Sequence, residues 1–336
     1  MTQADIVQYS LVAIYSAMTV YALAFIAFAL DLAHRVSVAR ASAAAPAVPL
    51  ASSLGAEAAM ASGASTVTIT RRSGGTAVLD RPDVDSEQPV KHSKAARLGL
   101  SFTVIAWILH VGGTVLRGVA AGRVPWANMF EFTLTATAII IGVFIFMQFW
   151  QDLRFLGAYV TGFVLIFLGV ATTDFYVDVV PLPPALQSYW LVIHVFVASL
   201  GTGFLGLGAG LAVVQLLQAR RVGKGLPRLQ GIPTPDRLET LSYRLTVLGF
   251  VFWTFTLMAG AIWAEHAWGR YWGWDTKEVW TLIVWVIYAG YIHARATRNW
   301  RGSRSATLAI IGFSTVLFNF TIVNLFFKGL HSYSGL

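Results

Sequence analysis

Histidine is the residue type in this chain that is best suited to bind or transfer something. The 336 residues include seven histidines and no cysteine, which excludes disulfides, thiolate metal sites and thiol nucleophiles. Two of the histidines, His34 and His92, lie in a polar stretch and are interpreted as solvated residues. Ionisable side chains at membrane depth are costly and usually functional. The other five lie inside long apolar stretches or just beyond them: His110, His194, His266, His293 and His331.

Four of these histidines can be paired by their expected depth. His194 follows Trp190 by about one helical turn, near the predicted outer surface, and His331 lies a few residues beyond the last apolar stretch. These two are predicted to share an outer site. His110 and His293 could share a deeper site, which requires helix tilt to bring them to one depth. Imidazoles on opposite faces of a porphyrin commonly hold haem iron, and two pairs at two depths favour ligation. The alternative is that each histidine hydrogen-bonds a neighbouring helix.

A tryptophan-rich segment, residues 263–285, is the second chemical signal. It reads WAEHAWGRYWGWDTKEVWTLIVW and contains six of the twelve tryptophans. An interfacial aromatic belt explains some of them, but a belt does not require Gly269 and Gly273 between the indoles. Glycines let the backbone fold closely, and indoles offer flat apolar faces that suit an aromatic cofactor. Asp275 and Glu278, three residues apart, also fit a cap at the start of a helix.

The composition is that of a membrane protein. Hydrophobic residues make up 56% of the chain and charged residues 12%, about half the usual share of roughly 25% in soluble proteins. The chain is therefore predicted to be an all-α, polytopic membrane protein. Eight apolar stretches approach the roughly 20 residues that a spanning helix needs: 9–30, 98–120, 132–150, 155–173, 190–217, 245–263, 279–296 and 307–327.

Most of the 24 lysines and arginines lie in one set of alternate loops. The positive-inside rule then places these loops in the cytoplasm and both termini outside. This distribution explains the net charge of +8 without nucleic acid. The domains are predicted to be a first transmembrane helix at 1–30, a disordered cytoplasmic Ala/Ser-rich loop at 31–97, and a membrane core at 98–336 with the tryptophan-rich segment outside. The exceptions to the charge rule are Arg117, Arg123, Arg270, Lys277 and Lys328.

The segment WGRYWGWDTKEVW, followed by Tyr288 and His293, resembles the "WWD" signature of haem-handling proteins in cytochrome c maturation. The stretches PWANMFEF (125–132) and GLHSYSG (329–335) resemble the CcsA/ResC branch of system II. The resemblance covers most of the chain from about residue 98. One departure is Thr276, where a proline is common in the family.

The resemblance implies an outer haem site with His194 and His331 as ligands, and a transmembrane pair at His110 and His293. It implies that haem b is bound non-covalently, as cargo. The chain would be a haem-delivery subunit of the holocytochrome c synthase (cytochrome c haem lyase) in the bacterial plasma membrane. The implied partners are a ResB-type membrane protein, apocytochrome c with a C-x-x-C-H motif, and thiol-reducing proteins. The implied cofactor surface of the WWD segment is Trp268, Gly269, Trp272, Gly273, Trp274, Asp275, Lys277 and Glu278.

Three other functions remain open on the sequence. The first is a bis-histidine electron-transfer cytochrome, which is disfavoured because no apolar stretch carries two histidines. The second is a transporter of another aromatic substrate, which would use the tryptophans without iron. The third is a structural assembly scaffold.

Overall fold

The computed structural model describes residues 2–44, 93–297, 300–327 and 329–331. All regular secondary structure of these residues is helical. It includes two short 3₁₀ helices, Arg154–Leu156 and Pro184–Leu186. Eight helical segments are long and apolar enough to cross a membrane, which confirms the predicted number of spans. The helices are α1 (Gln3–Ala44), α2 (Lys94–Ala121), α3 (Met129–Met147), α4 (Gly157–Asp174), α5 (Tyr189–Gly223), α6 (Pro235–Trp268), α7 (Thr276–Thr297), α8 (Ser303–Phe320) and α9 (Ile322–Phe326).

The first helix is longer than predicted. It continues past residue 30 to Ala44, so the predicted loop boundary at 31 is wrong. Asp31 and Arg35 form an i,i+4 ion pair with an N–O distance of 2.7 Å, and Arg35 also donates to the Gln230 carbonyl. These contacts stabilise the helix beyond its apolar part. At the other end of the predicted loop, Ser93 caps α2, and residues 45–92, including His92, lie outside the described residues.

Close packing of α5 against α6 forms the centre of the bundle. The glycines of α5 permit this approach. A Cβ at Gly208 would lie 2.6 Å from the Thr246 hydroxyl, and one at Gly201 would lie 3.3 Å from the Trp253 backbone nitrogen. Small residues let two helix backbones approach closely in a membrane, where apolar burial drives association weakly. The glycines of α5 therefore allow its backbone to lie close to that of α6.

The last predicted span, 307–327, is two helices rather than one. α8 ends at Phe320 and α9 begins at Ile322, with Thr321 between them at φ −92° and ψ −73°. The Thr321 hydroxyl donates to the Leu317 carbonyl at 2.7 Å. Near this break, the backbone carbonyl of Asn319 accepts a hydrogen bond from the Lys277 ammonium at 2.8 Å. A side chain that bonds to helix carbonyls is a common cause of such an interruption.

Three connections lie at one end of the bundle: 122–128 between α2 and α3, 175–188 between α4 and α5, and 269–275 in the tryptophan-rich segment between α6 and α7. Hydrogen bonds join the middle connection to Arg117 near the end of α2 and to Trp263 near the end of α6. We call this the tryptophan end of the bundle. A buried apolar cluster lines it, formed by Trp126, Leu186, Leu191, Val195 and Trp263.

A candidate ligand cavity at the tryptophan end

A cavity of about 220 Å³ lies between helices α3 to α8 at the tryptophan end. A second cavity, between α4 and α5, measures about 10 Å³, which is room for about one water. The first cavity is therefore large enough for an organic ligand, and the second is not. Most of the wall of the first cavity is apolar, as is usual for small-molecule sites. The two histidines that line it are His194 and His331.

His194 enters the cavity wall from the first turns of α5. Its imidazole stacks on the Trp263 ring, with centroids 5.8 Å apart and planes at 21°. Its Nδ1 lies 3.0 Å from the backbone carbonyl oxygen of Thr256 on α6. A carbonyl oxygen only accepts, so Nδ1 carries the hydrogen and donates it. This tautomer leaves the Nε2 lone pair available to a ligand.

His331 is held in a similar way after the end of α9. Its Nδ1 lies 2.6 Å from the Asp275 carboxylate, and its ring meets Trp263 and Trp268 edge-on, at centroid distances of 5.4 and 4.8 Å. The hydrogen bond from His331 is the main reason why the pKa of Asp275 lies below its usual value, and the backbone N–H groups of Leu330 and Lys277 contribute to the same shift. Asp275 therefore orients the His331 imidazole and leaves its Nε2 free.

The structure thus brings the predicted outer pair together around one indole. Both imidazoles are within 6 Å of the Trp263 ring centroid, and each Nδ1 is bound to an oxygen acceptor. Metal-ligating histidines typically have this arrangement, in which the second nitrogen is fixed by a carbonyl or a carboxylate. Among the described residues, no group of three or more His, Cys, Asp or Glu side chains could hold a metal ion. Two imidazoles fit an iron whose other four ligands come from a porphyrin better than they fit a bare cation.

The tryptophan-rich segment divides between the end of α6, a short connection and the start of α7. Trp268 is the last residue of α6 and contacts the His331 and Trp263 rings. Gly269 ends the helix in the left-handed region at φ 68°, where glycine carries no steric cost. Trp272 lines the cavity, whereas Trp274 is 73% exposed and touches Trp272 edge-on.

Gly273 and Glu278 shape the turn that follows. The Glu278 carboxylate accepts from the backbone N–H groups of Gly273 and Asp275, at 2.8 and 3.0 Å. These bonds confirm the predicted cap at the start of α7. The structure also shows a second role for one of its residues, Asp275. Glu278 supplies the return bond to the helix start, while the Asp275 carboxylate holds His331 as well.

His110 and His293 are not brought together within this chain. His110 is fully buried on α2, where its Nδ1 lies 3.4 Å from the Tyr21 hydroxyl of α1. His293 is exposed on α7. α2 packs mainly against α1 and α3, whereas α7 packs against α6, α8 and α9. The deeper site therefore remains a prediction that the packing of the described residues does not support.

Two contributors to the site were missed by the sequence reasoning. The Thr256 carbonyl is a backbone group, and no side-chain pattern signals it. Gly260, one turn further along α6, has no side chain at the place where the His194 imidazole lies. A Cβ there would be 2.8 Å from His194 Cε1 and 2.9 Å from Nδ1. The sequence did contain a signal for this space, because three consecutive small residues occur at Ala259, Gly260 and Ala261.

Replacing Gly260 by alanine should displace His194 and weaken ligand binding by about tenfold, the size of effect seen when groups that orient metal ligands are lost. The added methyl group would collide with the imidazole and disturb its bond to Thr256. Porphyrin binding to the purified variant, followed by absorption spectroscopy, measures this. Gly169→Ala on α4 is the matched control, because a Cβ there meets nothing within 4 Å. Both changes favour helix formation, so equal binding by the two variants would contradict the assigned role of Gly260.

The fold and the cavity define a class: multi-span helical membrane proteins with a paired-imidazole, aromatic-walled site at one end of the bundle. Comparison with known families is consistent with this class and narrows it. The chain belongs to the cytochrome c assembly protein family, whose model matches residues 125–331, and it is of the CcsA type. This confirms the resemblance given by the WWD segment.

Two curated relatives illustrate the similarity. The cytochrome c biogenesis protein CcsA of Guillardia theta is 34% identical over 272 residues, which cover 71% of this chain and 90% of that protein. CcsA of Parasynechococcus marenigrum is 34% identical over 270 residues, covering 72% and 88%. Among solved structures, the cytochrome c haem lyase CcmF has a similar fold, with a TM-score of 0.59 at 15% identity. That match covers 95% of this chain and 47% of the CcmF chain.

Proposed function

We propose that this chain is the haem-handling subunit of a holocytochrome c synthase and presents haem b in the cavity at the tryptophan end. The observation that carries the proposal is the paired placement of His194 and His331, each with Nδ1 bound to an acceptor and Nε2 free. Membership of the cytochrome c assembly family supports a role in cytochrome c maturation.

The residues of the cavity would bind and orient the macrocycle rather than react with it. His194 and His331 would supply the axial nitrogens, and Trp263 and Trp272 would provide apolar faces beside the ring. The chain has no cysteine, so both thiols of the thioether bonds must come from the partner. In the attachment, each thiol adds its sulfur and its hydrogen across one vinyl group of the haem. Binding and orientation are the usual contribution of a protein to cofactor chemistry.

The proposed partners follow from that division of labour. They are an apocytochrome c with a C-x-x-C-H motif, a ResB-type membrane protein, and proteins that keep the cysteine thiols reduced. The distribution of basic residues supports an extracytoplasmic position for the tryptophan end in a bacterial plasma membrane. The apolar wall and the two-nitrogen donor set favour this function over a transporter that would use the tryptophans without iron.

Co-expression in cells without their own cytochrome c maturation proteins tests the proposal. The chain, a ResB-type partner and a C-x-x-C-H apocytochrome should together yield a cytochrome whose haem survives denaturation. An apocytochrome with both cysteines replaced by serine should stay unlabelled, because it cannot form thioethers. If the complex assembles in the membrane with haem supplied and still yields no covalent product, the proposed function is wrong.

A further inference from the structure

The cavity that contains His194 and His331 also has a polar corner. The corner lies where the first turn of α7 meets the break between α8 and α9, and the surrounding wall is apolar. Its members are Lys277, Glu278, Thr281, Asn319 and Asn324.

Lys277 is the cation of this corner, and its ammonium group forms two hydrogen bonds with described residues. Its Nζ donates to the Asn319 backbone carbonyl at 2.8 Å and to the Asn324 side-chain oxygen at 2.7 Å. An ammonium group has three N–H donors, so one has no acceptor among the described residues. Both acceptors are neutral, and neutral oxygens do not cancel the positive charge.

Neither of the two nearby carboxylates forms an ion pair with Lys277 among the described residues. Asp275 interacts with Lys277 electrostatically, but its carboxylate bonds directly to His331. Glu278 accepts two backbone N–H groups through Oε2, whereas its Oε1 is buried without a hydrogen-bond partner among the described residues. Among the ion pairs found in the described part of the chain, none includes Lys277. An ammonium in an apolar wall without a direct counter-ion is unfavourable, and an anionic ligand would relieve this.

We propose that Lys277 binds a carboxylate of the cavity's ligand and thereby selects a porphyrin with free acid groups over an uncharged one. The inference rests on the proposed function, because it takes the ligand to be a haem. The paired histidines would fix the centre of the macrocycle, and Lys277 would fix its rotation by holding one edge. A charge-assisted hydrogen bond of this kind is roughly twice as strong as a neutral one.

The test compares iron protoporphyrin IX with its dimethyl ester, in which both carboxylates are masked. We expect the wild-type chain, purified with its partner, to bind the free acid about tenfold or more tightly than the ester. Lys277→Met should bind the two equally, and Lys277→Arg should keep part of the preference. Lys224→Met, at an exposed position after α5, is the control and should behave as wild type.

The outcomes separate this inference from the function on which it rests. Equal binding of acid and ester by the wild-type chain overturns the inference, and this measurement needs no variant to fold. An unchanged acid-to-ester ratio in Lys277→Met also overturns it, because a purely structural lysine would weaken both ligands alike. If the wild-type chain binds neither porphyrin, the proposed function falls, and the inference falls with it.

Discussion

Replacing both His194 and His331 by glycine should reduce the haem that co-purifies with the complex by about tenfold or more. On the proposed function the two imidazoles are the axial ligands of the haem iron, and each is oriented through Nδ1 with Nε2 free. Each single variant should retain haem with one axial ligand and an altered absorption spectrum. Haem content per protein, together with absorption spectra of both oxidation states, measures the effect.

His266 provides the matched control for this experiment. It lies in the last turn of α6, is 46% exposed and pairs with Glu265, so its replacement leaves the cavity wall intact. Added imidazole should restore the six-coordinate spectrum of the glycine variants, because it can fill the space that each side chain vacates. If the double variant keeps a wild-type spectrum and haem content, the assignment of the iron ligands is wrong.

The sequence predicted the spans well because the bilayer imposes a simple constraint. About 20 apolar residues without charge are hard to place anywhere but in a membrane helix, and all eight stretches are helical. Helix ends were less predictable, because they depend on tertiary contacts. α1 extends to Ala44, and the ion pair of Asp31 with Arg35 lies in that extension.

The sequence also predicted that His194 and His331 lie at a similar depth, because depth along a helix is set by residue count. It could not predict which groups hydrogen-bond to these two imidazoles. Asp275 and His331 are separated by 56 positions, and only the fold shows that their side chains meet at 2.6 Å. The exposed position of Trp274 illustrates the same limit. Its place in the tryptophan-rich segment gives no indication that the left-handed backbone, φ 59°, turns it away from the cavity wall.

The deeper pair, His110 and His293, shows that depth predicted from residue counts is not enough to define a site. Similar depth is necessary for two residues to share a site, but the helices must also be neighbours. His110 lies in the packing of α2 against α1 and α3, and His293 lies on an exposed face of α7. Neighbour relations among helices come from the packing of their side chains, and a single sequence contains little direct information about them.

The second large effect is expected at a buried ion cluster that anchors the connection between α4 and α5. Glu131 is fully buried and pairs with Arg117 at 3.1 Å and Arg123 at 2.7 Å. The two guanidinium groups also donate to the carbonyls of Val177 and Val180 in that connection. The same connection continues to Ala185, whose carbonyl accepts the indole N–H of Trp263 at 3.0 Å. The cluster therefore holds a segment that helps to position the central indole of the cavity.

Glu131→Gln should destabilise the chain by about 3–5 kcal/mol, the usual cost of leaving buried charges without their partner. Two arginines would then face each other without a carboxylate between them. We expect a lower unfolding temperature in detergent and faster proteolysis within 175–188, because the anchoring of that segment is lost. The loss of porphyrin binding should follow the loss of order in the segment.

Asp152→Asn is the matched control, because it alters an ion pair at the surface. Asp152 is 46% exposed and lies 3.6 Å from Arg154, and such pairs contribute about 0–1 kcal/mol. Both variants replace a carboxylate by an amide. A difference between their unfolding temperatures is therefore caused by the burial of the Glu131 cluster and not by the loss of a carboxylate alone. Equal unfolding temperatures for Glu131→Gln and Asp152→Asn would show that the buried cluster does not anchor the segment. Unchanged proteolysis within 175–188 would show that the Val177 and Val180 contacts are not what orders it.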